Sequence, residues 1–142
     1  SVVDVENEVF SAVYAALKAQ FAPPLTEKPI FVSGDTVAAP SSLPAAMGVE
    51  MDNSIYERSM DSSNTENHVT VMWQWEAISN KSGAKKSEGK AIMAVIDVQM
   101  TALGFVRIGS GPMALPNADG TKYRMVARYR AVISKEKVIY RR

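Results

Sequence analysis

The sequence predicts an α+β fold, in which an antiparallel β-sheet carries two main helices within a single domain. Three observations predict it. Within residues 80–105, Ile92, Val95, Ile96, Met100 and Leu103 recur at steps of three and four, which places them on one helix face. Before that helix, Val69, Val71, Trp73, Trp75 and Ala77 alternate with His68, Thr70, Met72, Gln74 and Glu76. After it, Tyr123, Met125, Ala127, Tyr129, Ala131 and Ile133 alternate with Lys122, Arg124, Val126, Arg128, Arg130 and Val132. Period two is the signature of a half-buried strand. A helix with one apolar stripe, set between two such strands, hides that stripe by lying across their sheet.

The first helix is expected from a cap at Asp4 to about Gln20. Val5, Val9, Val13 and Leu17 form a four-step row, with Phe10, Tyr14 and Phe21 beside it. Glu6 and Glu8 near its start and Lys18 near its end match the helix dipole. The pair Pro23 and Pro24 stops it. Prolines crowd residues 25–44, so Ile30, Phe31 and Val32 read as a short edge strand. Residues 45–51 suggest a further strand, weakened by Gly48. Residues 52–67 form the longest polar stretch and are expected to be mostly loop, with a helical turn near Ile55, Tyr56 and Met60. In the organising helix, Gly89 should cost ~1 kcal/mol relative to alanine. Gly104 suits a left-handed end and Phe105 an apolar latch beyond it. Residues 105–108 read as a short strand and residues 109–120 as a flexible loop closed by an Asp-Gly turn. Residues 135–142 read as a C-terminal extension. Its Val138, Ile139 and Tyr140 are too apolar for a purely solvated end, so it packs on its own subunit or on a neighbour.

The 142 residues suit one domain spanning 1–142, and 46% apolar with 22% charged residues is a globular composition. A net charge of +1 excludes strong overall attraction to nucleic acid while leaving local basic patches. With no cysteine there is no disulfide framework, thiolate metal site or thiol nucleophile, which fits a reducing compartment. No apolar run approaches a membrane span, and residues 1–10 lack the basic head and apolar middle of a secretory signal.

Catalytic chemistry finds little footing, and the chain is expected not to be an enzyme, with no cofactor and no metal. Its single histidine, His68, has no cysteine or second imidazole near it and reads as a strand-end residue. Asp52, Glu57, Asp61 and Glu66 fit no calcium-loop spacing. The GSG at 109–111 precedes a proline rather than a helix, so it is no phosphate loop. Two basic features remain. Lys81, Lys85, Lys86 and Lys90 surround the start of the organising helix, where cations oppose the dipole at ~0.3–1 kcal/mol each. They suit an anion or a partner's carboxylates; the plainer reading is a solvated helix end. Arg124, Arg128 and Arg130 share one strand face. They suit a subunit contact or a face toward nucleic acid; the plainer reading is a solvent-facing surface with acidic cross-strand neighbours such as Glu76. Trp73, Trp75, Tyr123 and Tyr129 suit base stacking, although their alternation favours the core.

Several segments together resemble a known group. VEMDNSIYER, SNKSGAKKSEGKAIMAVID, MTALGF and ADGTKYRMVARYRAVIS, in that order, are similar to segments of tail terminator or head–tail joining proteins of long-tailed bacteriophages, often labelled minor capsid proteins. The resemblance covers most of the chain; Gly89 and the proline-rich residues 25–44 depart from it. It implies a structural α+β subunit that assembles into a ring, with a hexamer expected. Such a ring caps the tail tube, ends its polymerisation and docks to the head connector. The implied partners are other copies of the chain, the tail tube protein and the connector or stopper, with DNA only as cargo passing through and no membrane. The implied place is the virion's head–tail junction, after assembly in the host cytoplasm. Lys85, Lys86, Arg124, Arg128 and Arg130 are the expected contact residues. The alternatives are another neck component, a stopper or adaptor, and a small nucleic-acid-binding module.

Overall fold

The four-residue spacing of Val9, Val13 and Leu17 produces α1 (Glu6–Gln20), where all three are buried. Past α1, the Phe21 amide bonds back to the Leu17 carbonyl at 2.9 Å, and the Ile30 amide returns to the Phe21 carbonyl at 2.9 Å. Lys18 Nζ donates to the Ile30 carbonyl. The helix end is thereby stitched to the strand that follows it. This computed structural model describes residues 6–26, 29–35, 40, 42–55, 68–115, 121–134 and 139–140. The cap expected at Asp4 falls outside them.

The strands are β1 (Phe31–Ser33), β2 (Ala45–Ile55), β3 (His68–Ser79), β4 (Val106–Leu115), β5 (Tyr123–Ser134) and β6 (Ile139–Tyr140); α2 (Lys85–Ala102) lies between β3 and β4. They form one sheet in the order β1-β2-β3-β5-β4, with β6 also on β5. The sheet is mixed, because β1 pairs β2 in parallel while the other pairings are antiparallel. β5 lies along β3 for its whole length, from His68 opposite Ser134 to Ser79 opposite Tyr123. On its other side β5 holds β4 up to Arg130 and β6 at Val132 and Ile133, so this part of the C-terminal extension packs on its own subunit.

Alternation puts Val69, Val71, Trp73, Trp75 and Ala77 of β3 and Met125, Ala127, Tyr129, Ala131 and Ile133 of β5 on one face, and all are buried. Ile92, Met93, Ile96 and Met100 of α2 and Val9, Val13 and Leu17 of α1 close over them in one core. Both helices therefore share a face of the sheet. Val95 and Leu103 flank the core half-buried. Phe10 stacks on Trp75 at 6.0 Å and Trp75 on Trp73 at 5.8 Å, which ties α1 to the sheet through aromatic faces.

The end of α2 follows from two residues. Gly104 takes φ 99, its amide bonds to the Thr101 carbonyl at 2.9 Å, and the Phe105 amide bonds to the Met100 carbonyl at 3.0 Å. This is the Schellman pairing, which satisfies carbonyls that have no intrahelical partner. Phe105, at 2% exposure, joins the core with Met100.

Two glycines are set by aromatic rings. A Cβ on Gly48 would lie 2.4 Å from Trp75 Cζ2, and one on Gly89 would lie 2.7 Å from Tyr123 Cδ2. Gly48 thus admits the indole across β2, and Gly89 lets α2 settle on the start of β5.

Two expected loops begin as strand. β2 continues to Ile55 after a register shift between Glu50 and Asp52, because the pairing of Asn53 with Val71 and Ile55 with Val69 extends the ladder. β4 runs to Leu115 instead of stopping at Ile108. Between Ile108 and Met113 it advances five positions while β5 advances two, from Arg128 to Val126. Gly109, at φ 84, stands at the start of that irregularity. The remaining residues of both expected loops, 56–67 and 116–120, lie outside the described set.

Candidate functional site

The other face of the sheet carries no described helix. Its backbone positions fall in cross-strand rows fixed by register. Ala45, Ile78, Arg124 and Leu115 form one row; Met47, Glu76, Val126 and Met113 the next; then Val49, Gln74, Arg128 and Ile108; then Asp52, Met72, Arg130 and Val106. At the first two rows the face is closed, since Ile78 and Met47 are buried. At the last two it opens. Arg128 is exposed and Val106 is 42% exposed. The result is an open patch in which cations alternate with apolar side chains.

The three arginines differ in what holds them. Arg124 Nη1 donates to Glu76 Oε2 at 2.6 Å, with both side chains mostly covered, 18% and 12% exposed. That pair is the acidic cross-strand neighbour expected for this face. Arg128 Nε donates to Gln74 Oε1 at 2.9 Å, a neutral partner, so its charge stays uncompensated within the pair. Arg130 is half-buried between Met72 and Val106. Among the described residues, charge is matched at Arg124, while Arg128 meets a neutral amide and Arg130 lies beside apolar residues.

Lys85 and Lys86 open α2 behind Ala84, which provides no side-chain cap. With Lys81, Gly83 and Thr121 they border an open cleft of about 520 Å³. Glu88 answers part of this charge from the first turn, and its Oε1 accepts the buried Ser79 hydroxyl at 2.7 Å. This cleft sits by the start of β5 on the helix side, whereas Arg128 and Arg130 sit further along β5 on the opposite face. The two basic features are separate surfaces.

A group that pattern reading did not single out joins α2 to the sheet. The Tyr129 hydroxyl donates to Asp97 Oδ1 at 3.1 Å, and Arg107 Nη1 reaches the same oxygen at 3.2 Å. Burial, then the charge of Asp97 and the hydrogen bond to it, push the Tyr129 hydroxyl well above the usual tyrosine value, with Arg107 opposing. Asp97 and Arg107 stand on polar positions of their own elements, and only the crossing of α2 over β5 and β4 brings them together.

At the β1 edge lies a further cleft, of about 320 Å³, bordered by Glu6, Phe10, Asp35 and Trp73. The Trp73 indole N–H at its floor is enclosed and has no acceptor among the described residues.

Trp73, Trp75 and Tyr129 are at most 1% exposed, so they serve the core and are not a platform for stacked bases. His68 opens β3 opposite Ser134, and its side chain is outside the described set, as are those of Asp52, Glu57, Asp61 and Glu66. Among the described residues no three His, Asp or Glu side chains gather as a metal site, and no helix is long and apolar enough to cross a membrane. No protein-family model matches the chain, and no curated protein matches it in sequence.

Proposed function

We propose that the chain is a structural subunit of the head–tail junction of a long-tailed bacteriophage. It forms a ring that caps the tail tube, ends its polymerisation and docks to the head connector. The reading starts from the order of the four resembling segments, 49–58, 79–97, 100–105 and 118–134. The observation that carries it is the sheet face without a helix among the described residues, where Arg128 and Arg130 lie among Val106, Met72 and Ile108. A fully wetted surface has no use for that apolar share, and a core has no room for those charges; a protein contact uses both. The ring is expected to be a hexamer, acting in the virion without catalysis or cofactor, with DNA passing through its bore without sequence recognition.

The test is a capping experiment. Tail tube protein is polymerised with and without the purified chain, and tube lengths and ends are measured by negative-stain electron microscopy. Rings at tube ends and a length distribution that shortens with added chain are the expected result. Tubes of unchanged length with bare ends refute the capping role. Binding to an isolated connector without any effect on tubes assigns the chain instead to a stopper or adaptor.

A further inference from the structure

We infer that the open arginine patch of one copy docks on the acidic, aromatic cleft at the β1 edge of a second copy. This deepens the ring-subunit reading and rests on it.

The two surfaces are complementary in charge. The cleft has carboxylates at its mouth, Glu6 from the first turn of α1 and Asp35 just past β1, both on exposed residues. Phe10, half-buried, lines it, and the buried Trp73 closes it. A guanidinium is planar and weakly hydrated; it pairs with carboxylates and also stacks on aromatic rings. A cleft that sets two carboxylates beside the half-buried Phe10 ring therefore suits an arginine better than a lysine or a metal ion. On the other surface, Arg128 is exposed and among the described residues engages a neutral amide, while Val106 lies open on the adjacent strand. Inserting Arg128 brings Arg130 and this apolar rim against the α1–β1 edge.

The positions fit a ring. The cleft belongs to the β1 end of the sheet and the arginine patch to the β5–β4 end, on the opposite face. One copy's tail surface thus meets the next copy's head surface, a heterologous contact, the kind that builds a ring when the rotation between copies closes. A two-fold dimer would instead need both surfaces within one self-complementary face, and these two lie at opposite ends and on opposite faces of the sheet. Arg124 takes no part in this contact, being held by Glu76 within its own chain.

The chain contains no cysteine, so engineered thiols report proximity without background. Asn7→Cys lines the cleft and Gln74→Cys stands beside Arg128. Under mild oxidation the double variant should give a ladder of disulfide-linked multimers, and each single variant almost none. Separately, R128E/R130E and E6K/D35K should each weaken self-association at least ~10-fold by sedimentation velocity. Both should keep wild-type circular dichroism and melting. Mixed one to one, the two variants should assemble again, because every contact in an alternating ring then joins opposite charges. Oligomers that form without the ladder, or that ignore both charge reversals, overturn this contact and leave the ring reading standing. A chain that stays monomeric with tail tubes present and yields no ladder overturns both. If R128E/R130E abolishes binding to a random DNA duplex while self-association is unchanged, the patch is a nucleic-acid surface and the inference fails.

Discussion

Replacing Gly89 by alanine sets two opposed effects against each other at one site. Alanine is the better helix former by ~0.8–1.0 kcal/mol. Yet the new methyl would sit 2.7 Å from Tyr123 Cδ2 and 3.2 Å from Cε2, inside van der Waals contact with a ring packed on the core. Overpacking of this kind costs typically 1–3 kcal/mol. The sum predicts that Gly89→Ala destabilises the wild-type chain by about 0–2 kcal/mol. Removing the ring removes the penalty alone. In a Tyr123→Ala background the same change should therefore stabilise, by about 1 kcal/mol. The sign reverses, and the coupling energy, ~1–3 kcal/mol, is the measured quantity. Urea unfolding followed by tryptophan fluorescence is a suitable assay, because Trp73 and Trp75 are the only tryptophans and both are buried. With m of about 1–3 kcal/mol per molar, 1 kcal/mol moves the midpoint by ~0.3–1 M. If Gly89→Ala stabilises the wild type, or destabilises Tyr123→Ala, then α2 does not rest on β5 through this contact.

Ile96→Ala should cost ~2–5 kcal/mol by the same assay, because Ile96 is fully buried between α2 and the sheet. Tyr129→Phe removes a hydrogen bond to a carboxylate and should cost roughly 1.5–3 kcal/mol near neutral pH. It should also change the alkaline limb. The native state holds the Tyr129 proton more tightly than the unfolded chain, so this contribution is complete below pH 10.0, the unfolded value, and falls as pH rises above it. Tyr129→Phe should show a shallower loss of stability there, and parallel curves for the two proteins would deny the buried hydroxyl that role. Specific binding to one DNA sequence over others at physiological salt is not expected, and a competition titration that finds it would contradict the protein-contact assignment of Arg128 and Arg130.

The local periodicities were enough for the elements that bury one side. A stripe at steps of three and four can be hidden only by a helix, and strict alternation only by a strand, so α1, α2, β3 and β5 were legible without coordinates. The left-handed Gly104 and the buried Phe105 were legible for the same local reason. The sequence also marked Arg124, Arg128 and Arg130 as one face, because period two needs no knowledge of the neighbours. What it could not do was rank them. Register alone sets Glu76 within reach of Arg124 and gives Arg128 only an amide, which leaves charge at one end of the face and cancels it at the other. Gly48 looked like a defect in β2 because the indole that needs its missing side chain lies 27 positions away on the next strand. β2 beyond Met51 looked like loop because polar residues dominate it, and β4 beyond Ile108 because glycine, serine and proline do, and a ladder with β3 or β5 supplies hydrogen bonds that no local propensity announces. The acidic cleft draws on α1, on the turn after β1 and on β3, and the Tyr129–Asp97–Arg107 group on three further elements. Periodicity tells a residue which way to face, a property of its own segment; which side chain it then meets depends on how distant segments are registered and crossed, and that is decided only when the whole core closes.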